Sequence, residues 1–233
     1  MENLYDSSYK STANSSVLSI VMRKVYVRMF LALVVTAFTA LYVASSPSLL
    51  MTIMGSRAIF FGLIIAELAI VFVVSGMLHK LSSTTAVLLF YLYAILNGVV
   101  FSSIFVVYSL GSIAYTFFIT AGVFGAMSVY GLVTKNDMTK FGSYCMMALF
   151  GLIIATVVNI FVASSTLDWI ISFVGVALFI GLTAWDTQKI KNAAYVVEPS
   201  QMGKLATIGA LSLYLDFINL FLYLLRFFGR GND

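Results

Sequence analysis

Seven stretches of about twenty residues each run through this chain almost without charge, at about 26–44, 58–78, 85–107, 113–133, 143–162, 167–187 and 206–228. A run of that length and polarity crosses the hydrocarbon core of a bilayer as a helix. Only a helix or a closed barrel satisfies its backbone hydrogen bonds where water is absent. Composition leads to the same place. The chain is 61% hydrophobic and only 9% charged, whereas a soluble domain carries about 25% charged residues, so a globular surface would be covered with apolar patches. The expected fold is an all-α membrane protein of about seven transmembrane helices. The short connections make residues 23–233 a single membrane domain. Residues 1–22 are rich in Ser, Thr, Asn and Tyr without a periodic apolar face, and are expected to form a flexible polar cytoplasmic tail. Arg23, Lys24 and Arg28 precede the first apolar run, but that run is too long for a typical signal core and six more follow it, so it reads as an uncleaved span.

Several function classes lose support at this stage. The single cysteine, Cys145, allows no intrachain disulfide and reads as a packing residue. The one histidine, His79, cannot build a histidine metal cluster. The net charge of +4 is dispersed among connections, which argues against a nucleic-acid partner. Basic residues carry topology instead. With the N-terminus in the cytoplasm, ten of the 13 fall on inside segments and three, Arg57, Arg226 and Arg230, on outside ones. Pro47 and Pro199 fall in connections, where a missing N–H is harmless. Ala121 with Gly125, and Gly122 with Ala126, form two small-xxx-small pairs that read as close helix packing.

The informative residues are the ionisable ones inside apolar runs, each costing at least about 2.5 kcal/mol at the bilayer centre. They are Glu67, Asp186 and Asp216; Asp137, Asp168 and Glu198 fall in connections and read as solvated. In the last span Ser212, Asp216, Asn219, Tyr223 and Arg226 follow one another at spacings of 4, 3, 4 and 3 residues, which places them on one helical stripe. Such a stripe must face protein or water, so the last helix is expected at the centre of the bundle. Asp186 lies near the cytoplasmic end of the sixth span, where it could pair with Lys189 at the interface or meet Asp216 across the short connection to the seventh. Glu67 has no partner nearby in sequence and is either hydrogen-bonded to a neighbouring helix or open to an aqueous path.

TAWDTQKIK (183–191), followed by ALSLYLDFINLFLYLLRFFG (210–229), resembles the transmembrane Bax inhibitor motif family, particularly its bacterial members. SSTTAVLLFYLYAILNGVVFSSIF (82–105), with Asn97-Gly98 and Ser102-Ser103, is similar to the family's third span. GLVTKNDMTKFGSY (131–144) is similar to its connection between spans four and five. The resemblance implies six helices around a central seventh, a bacterial inner (plasma) membrane, and a pH-dependent calcium leak governed by an aspartate pair that maps onto Asp186 and Asp216. Members often carry an arginine near the end of span two that latches onto the aspartate of span six. Here the chain reads SGMLHKLSS, which leaves His79 or Lys80 as the latch partner.

The mechanism expected from these residues is a proton shared by Asp186 and Asp216 that clamps spans six and seven together. Its loss would leave two repelling anions that open a path or bind a cation. Calcium suits carboxylate, carbonyl and water oxygens, with Asp186 and Asp216 as a weak site and Glu67, Asp216 and Asn219 along the pathway. No cofactor is expected; the partners are lipid, calcium and protons. The alternatives are a proton-coupled cation exchanger and a regulatory protein that binds other membrane proteins. Two intramembrane aspartates also suit an aspartyl protease, but LYLDF (213–217) lacks the G-x-G-D context of those enzymes, so a non-enzyme is expected.

Overall fold

The computed structural model describes residues 2–76 and 81–231, with side chains from Ser16 onward except that of Ser75. His79 and Lys80, the expected latch partners, lie outside the described residues. The described chain is helical in nine pieces: α1 Glu2–Ala44, α2 Pro47–Gly55, α3 Arg57–Gly76, α4 Ser83–Phe101, α5 Ile104–Val107, α6 Leu110–Val133, α7 Thr139–Val162, α8 Ser165–Ala194 and α9 Met202–Phe228. Seven segments are long and apolar enough to cross a membrane, and they coincide with the seven apolar runs of the sequence. The protein is an all-α integral membrane protein. Its surface is that of a protein solvated by lipid: Phe38, Phe72, Phe118 and Phe161 are each at least 70% exposed.

Three local expectations change. Residues 2–22, read as a flexible tail, continue α1 as helix, and Val21 and Met22 are already buried. No Gly or Pro precedes Pro47, so nothing in the sequence stops a nucleated helix from propagating backwards. Pro47 opens α2 and Pro199 opens the short 3-10 turn Pro199–Gln201, so both occupy first turns, where the N–H would be unpaired anyway. The small-residue pairs of the fourth span do not mark a tight crossing. A Cβ built at Gly122 or Gly125 meets nothing within 4 Å among the described residues. Close approach occurs at Gly98 and Gly131 instead.

The helices gather into two compact units, the first from the N-terminus to Ile104 with Ile190–Leu211, the second Phe105–Lys189 with residues 212–233. In the first, α1 and α4 touch where Gly98 lies against the backbone of Thr36 and the side chain of Thr39, and Thr36 Oγ1 donates to the Ala94 carbonyl at 2.9 Å. Arg28 of α1 donates to the Gly203 carbonyl at 2.7 Å and to Thr207 Oγ1 at 2.6 Å, fastening the first turns of α9. In the second, Gly131 of α6 is pressed on the Ala184 carbonyl and Gly142 of α7 on the Trp185 ring, so both helices lie close against α8. Gln188 pins the connection between α6 and α7, accepting from the Met138 N–H at 2.9 Å and donating to the Asn136 carbonyl at 2.8 Å. The last span is the most buried of the seven, 67% against 6–50% for the others.

Candidate functional site

Three members of the polar stripe of α9, Arg226, Tyr223 and Asp216, lie along α8. Arg226 pairs with Asp168 at 2.8 Å and donates to Ser172 Oγ at 3.3 Å. One turn earlier, the Tyr223 ring lies on Gly175, which has no side chain to displace it, and stacks on Phe179 at 5.9 Å. Two turns further along, Asp216 comes within electrostatic reach of Asp186. The two helices thus run antiparallel with matched polar rungs. Asp168 is solvent-exposed as expected, at 52%, but it lies in the first turn of α8, where a carboxylate suits the helix dipole, and it pairs with Arg226 there.

The two aspartates occupy different settings. Asp216 is 4% exposed, and its Oδ2 has no hydrogen-bond partner among the described residues. Asp186 is 14% exposed; Lys189 reaches it at 4.0 Å, the outer limit of an ion pair, while lying 4.8 Å over the Trp185 ring. Lys189 is itself 63% exposed, so this pair contributes little. A buried carboxylate with an unsatisfied oxygen, within electrostatic reach of a second carboxylate, is an arrangement packing alone would not select. It suits a group that must gain and lose a proton or a cation.

The remaining candidates divide. Asn219 donates its amide to the Leu215 carbonyl of its own helix at 2.8 Å. Glu67 belongs to the first unit, where the Asn97 amide hydrogen-bonds to it and Tyr93 lies within electrostatic reach. Asn97 also donates to the Tyr93 hydroxyl at 3.2 Å, while Glu67 Oε1 and Asn97 Oδ1 have no partner among the described residues. Glu67 therefore has polar neighbours on α4. No group of three or more His, Cys, Asp or Glu suited to a metal exists among the described residues.

Two features escaped the sequence reading. Arg28 counted only as a topology charge, because its partners are 175 and 179 residues away. The buried face of α6, with Ser112, Thr116, Thr120 and Ser128, carries no charge to mark it, although its hydroxyls recur at helical spacing.

Comparison with known proteins agrees with this architecture. The family described as inhibitor of apoptosis-promoting Bax1 matches residues 18–233. The inner membrane protein YbhL of Escherichia coli K12 is 48% identical over 212 residues, covering 90% of this chain and 91% of the relative. A protein of Borreliella burgdorferi is 45% identical over 215 residues, covering 91% and 93% respectively. A membrane protein of Streptococcus pyogenes is 40% identical over 186 residues, covering 79% and 80%. With its seven spans and a match over nearly the whole chain, the protein belongs to the Bax inhibitor family.

Proposed function

We propose that this protein is a pH-sensitive calcium leak of a bacterial inner membrane, gated by protonation of the Asp186–Asp216 pair, with its N-terminus in the cytoplasm. One observation carries the reading: two carboxylates of neighbouring helices lie within electrostatic reach in a buried setting, and Asp216 Oδ2 is left without a partner among the described residues. With one proton between them, the carboxylates share a hydrogen bond that ties α8 to α9. With none, two anions repel and the helices separate, or a hard cation takes the proton's place. Protonation thus biases a two-state packing of the pair. The site conducts rather than catalyses, and calcium is its cargo. The inner-membrane assignment follows the name of the Escherichia coli relative, and the orientation follows the excess of Lys and Arg on one set of connections.

The test is calcium flux into liposomes containing purified protein, between pH 6 and 8, for wild type, Asp186→Asn and Asp216→Asn. Flux that varies with pH in wild type and loses that variation in both variants supports the gate. Wild type passing no calcium at any pH overturns the leak. Flux that stops once a counter-gradient is collapsed would instead assign an exchanger.

A further inference from the structure

A row of buried hydroxyls in the second unit has no part in the aspartate pair. Ser112, Thr116, Thr120 and Ser128 lie on one face of α6 and are all buried. Packing alone favours Ala or Leu at such positions, since a buried hydroxyl costs free energy unless it is bonded. Thr120 returns its proton to the Thr116 carbonyl of its own helix at 2.8 Å, and the Thr187 hydroxyl meets Ser128 Oγ at 3.5 Å. Thr116, with no exposed surface at all, leaves its Oγ1 without a partner among the described residues.

The position midway between Thr120 and Ser128 is Phe124. Its ring meets Phe217 edge-on at 5.4 Å, and Phe217 meets Phe117 at 5.3 Å. Phe217 directly follows Asp216 in α9, so the row is interrupted by aromatic rings at the depth of the buried aspartate. On one side of the rings, Thr120, Thr116 and Ser112 lead to a cavity of about 600 Å³ bordered by Ser109, Ser112, Tyr115 and Arg230. On the other side lie Ser128 and Thr187, the latter adjacent to Asp186. Two buried oxygens without a partner among the described residues, Thr116 Oγ1 and Asp216 Oδ2, thus belong to the two helices whose aromatic rings meet here.

We propose that the hydroxyl face of α6 lines the leak path and that Phe124 and Phe217, braced by Phe117, form the plug that closes it. The inference rests on the leak reading and names its wall and its gate. Hydroxyl oxygens replace part of the hydration shell of a passing cation, and an apolar constriction blocks it by excluding water. Because Phe217 shares a helical turn with Asp216, a change of charge at the aspartate is transmitted directly to the plug.

The experiment uses the full chain with Cys145→Ala, which removes the single cysteine, and adds Thr116→Cys or Ser128→Cys. Sealed vesicles of each orientation are exposed to a charged, membrane-impermeant thiol reagent. Thr116→Cys is expected to react only from the side of the cavity, and Ser128→Cys only from the opposite side. Adding Phe124→Ala is expected to expose Ser128→Cys from the cavity side as well. It is also expected to raise calcium flux about tenfold, a change equal to about 1.4 kcal/mol in the barrier. Phe124→Leu, which keeps an apolar but smaller side chain, is expected to open the path less than Phe124→Ala in both labelling and flux, a graded result that a folding defect would not give. Thr116→Cys inert from both sides overturns the wall. Labelling and flux unchanged by Phe124→Ala, while wild type still shows pH-dependent flux, overturn the plug and leave the leak reading standing. Labelling as expected with no calcium flux in either protein supports the plugged, water-lined wall and overturns calcium leak.

Discussion

At Asp216 a structural role and a functional one predict different outcomes. A helix-to-helix adhesive would have both carboxylate oxygens bonded, yet Oδ2 has no partner among the described residues. Replacing it with the isosteric amide keeps a group that can donate to Asp186 and removes the charge that Asp216 carries when deprotonated. Asp216→Asn is therefore expected to hold stability within about 1 kcal/mol of wild type or to raise it, by thermal unfolding in detergent. A loss above about 2 kcal/mol would mark the residue as structural. The glycines give a second contrast at this scale. Gly131→Ala drives a methyl into the Ala184 carbonyl and is expected to cost about 1–3 kcal/mol. Gly122→Ala meets open space and should be neutral or gain up to about 1 kcal/mol through helix propensity. Sequence spacing pointed to Gly122 and Gly125 because small residues four apart are common at membrane crossings. Spacing reports a shared face and is silent about what that face meets.

At the scale of elements, α9 was legible and α6 was not. An aspartate and an arginine on an apolar helix are costly in lipid, so their shared stripe was expected to face protein or water; Asp216, Tyr223 and Arg226 do lie along α8. The hydroxyls of α6 cost little when bonded to their own backbone, as Thr120 is, so their pattern carries no comparable alarm. Arg28 shows the other limit, because no local pattern announces a partner 175 residues away. Its two bonds to the first turns of α9 supply a measurable link between the ends of the chain. Hydrogen bonds to charged groups contribute about 1.5–3 kcal/mol, and partial solvent exposure reduces this. Arg28→Ala is accordingly expected to lower stability by about 1–2 kcal/mol, read from the unfolding midpoint in detergent. Arg28→Lys should recover part of that loss, since one ammonium can still reach one acceptor. An unchanged midpoint in Arg28→Ala would show that the link contributes nothing to stability.

For the whole molecule, the question is which group can respond to pH between 6 and 8. Histidine is the one side chain whose ordinary titration falls in that range. The chain has a single histidine, His79. Asp137 stands outside the spans, and bonds from the Thr139 hydroxyl and N–H, at 2.6 and 2.9 Å, hold its carboxyl below the ordinary aspartate value. A carboxyl lowered in the folded state contributes stability above its unfolded pKa and loses it only as pH falls through the lowered value. Its contribution is thus constant between pH 6 and 8 and fades only below about pH 4. Asp137 cannot supply a response near neutrality, and apart from the amino terminus the choice narrows to His79 or the buried acids. If the aspartate pair is the sensor, His79→Gln and Asp137→Asn should both keep the wild-type dependence of calcium flux on pH, while Asp216→Asn should flatten it. The reverse pattern, a flat profile in His79→Gln and a preserved one in Asp216→Asn, would move the sensor to the connection between α3 and α4. The aspartate pair would then have no part in sensing pH.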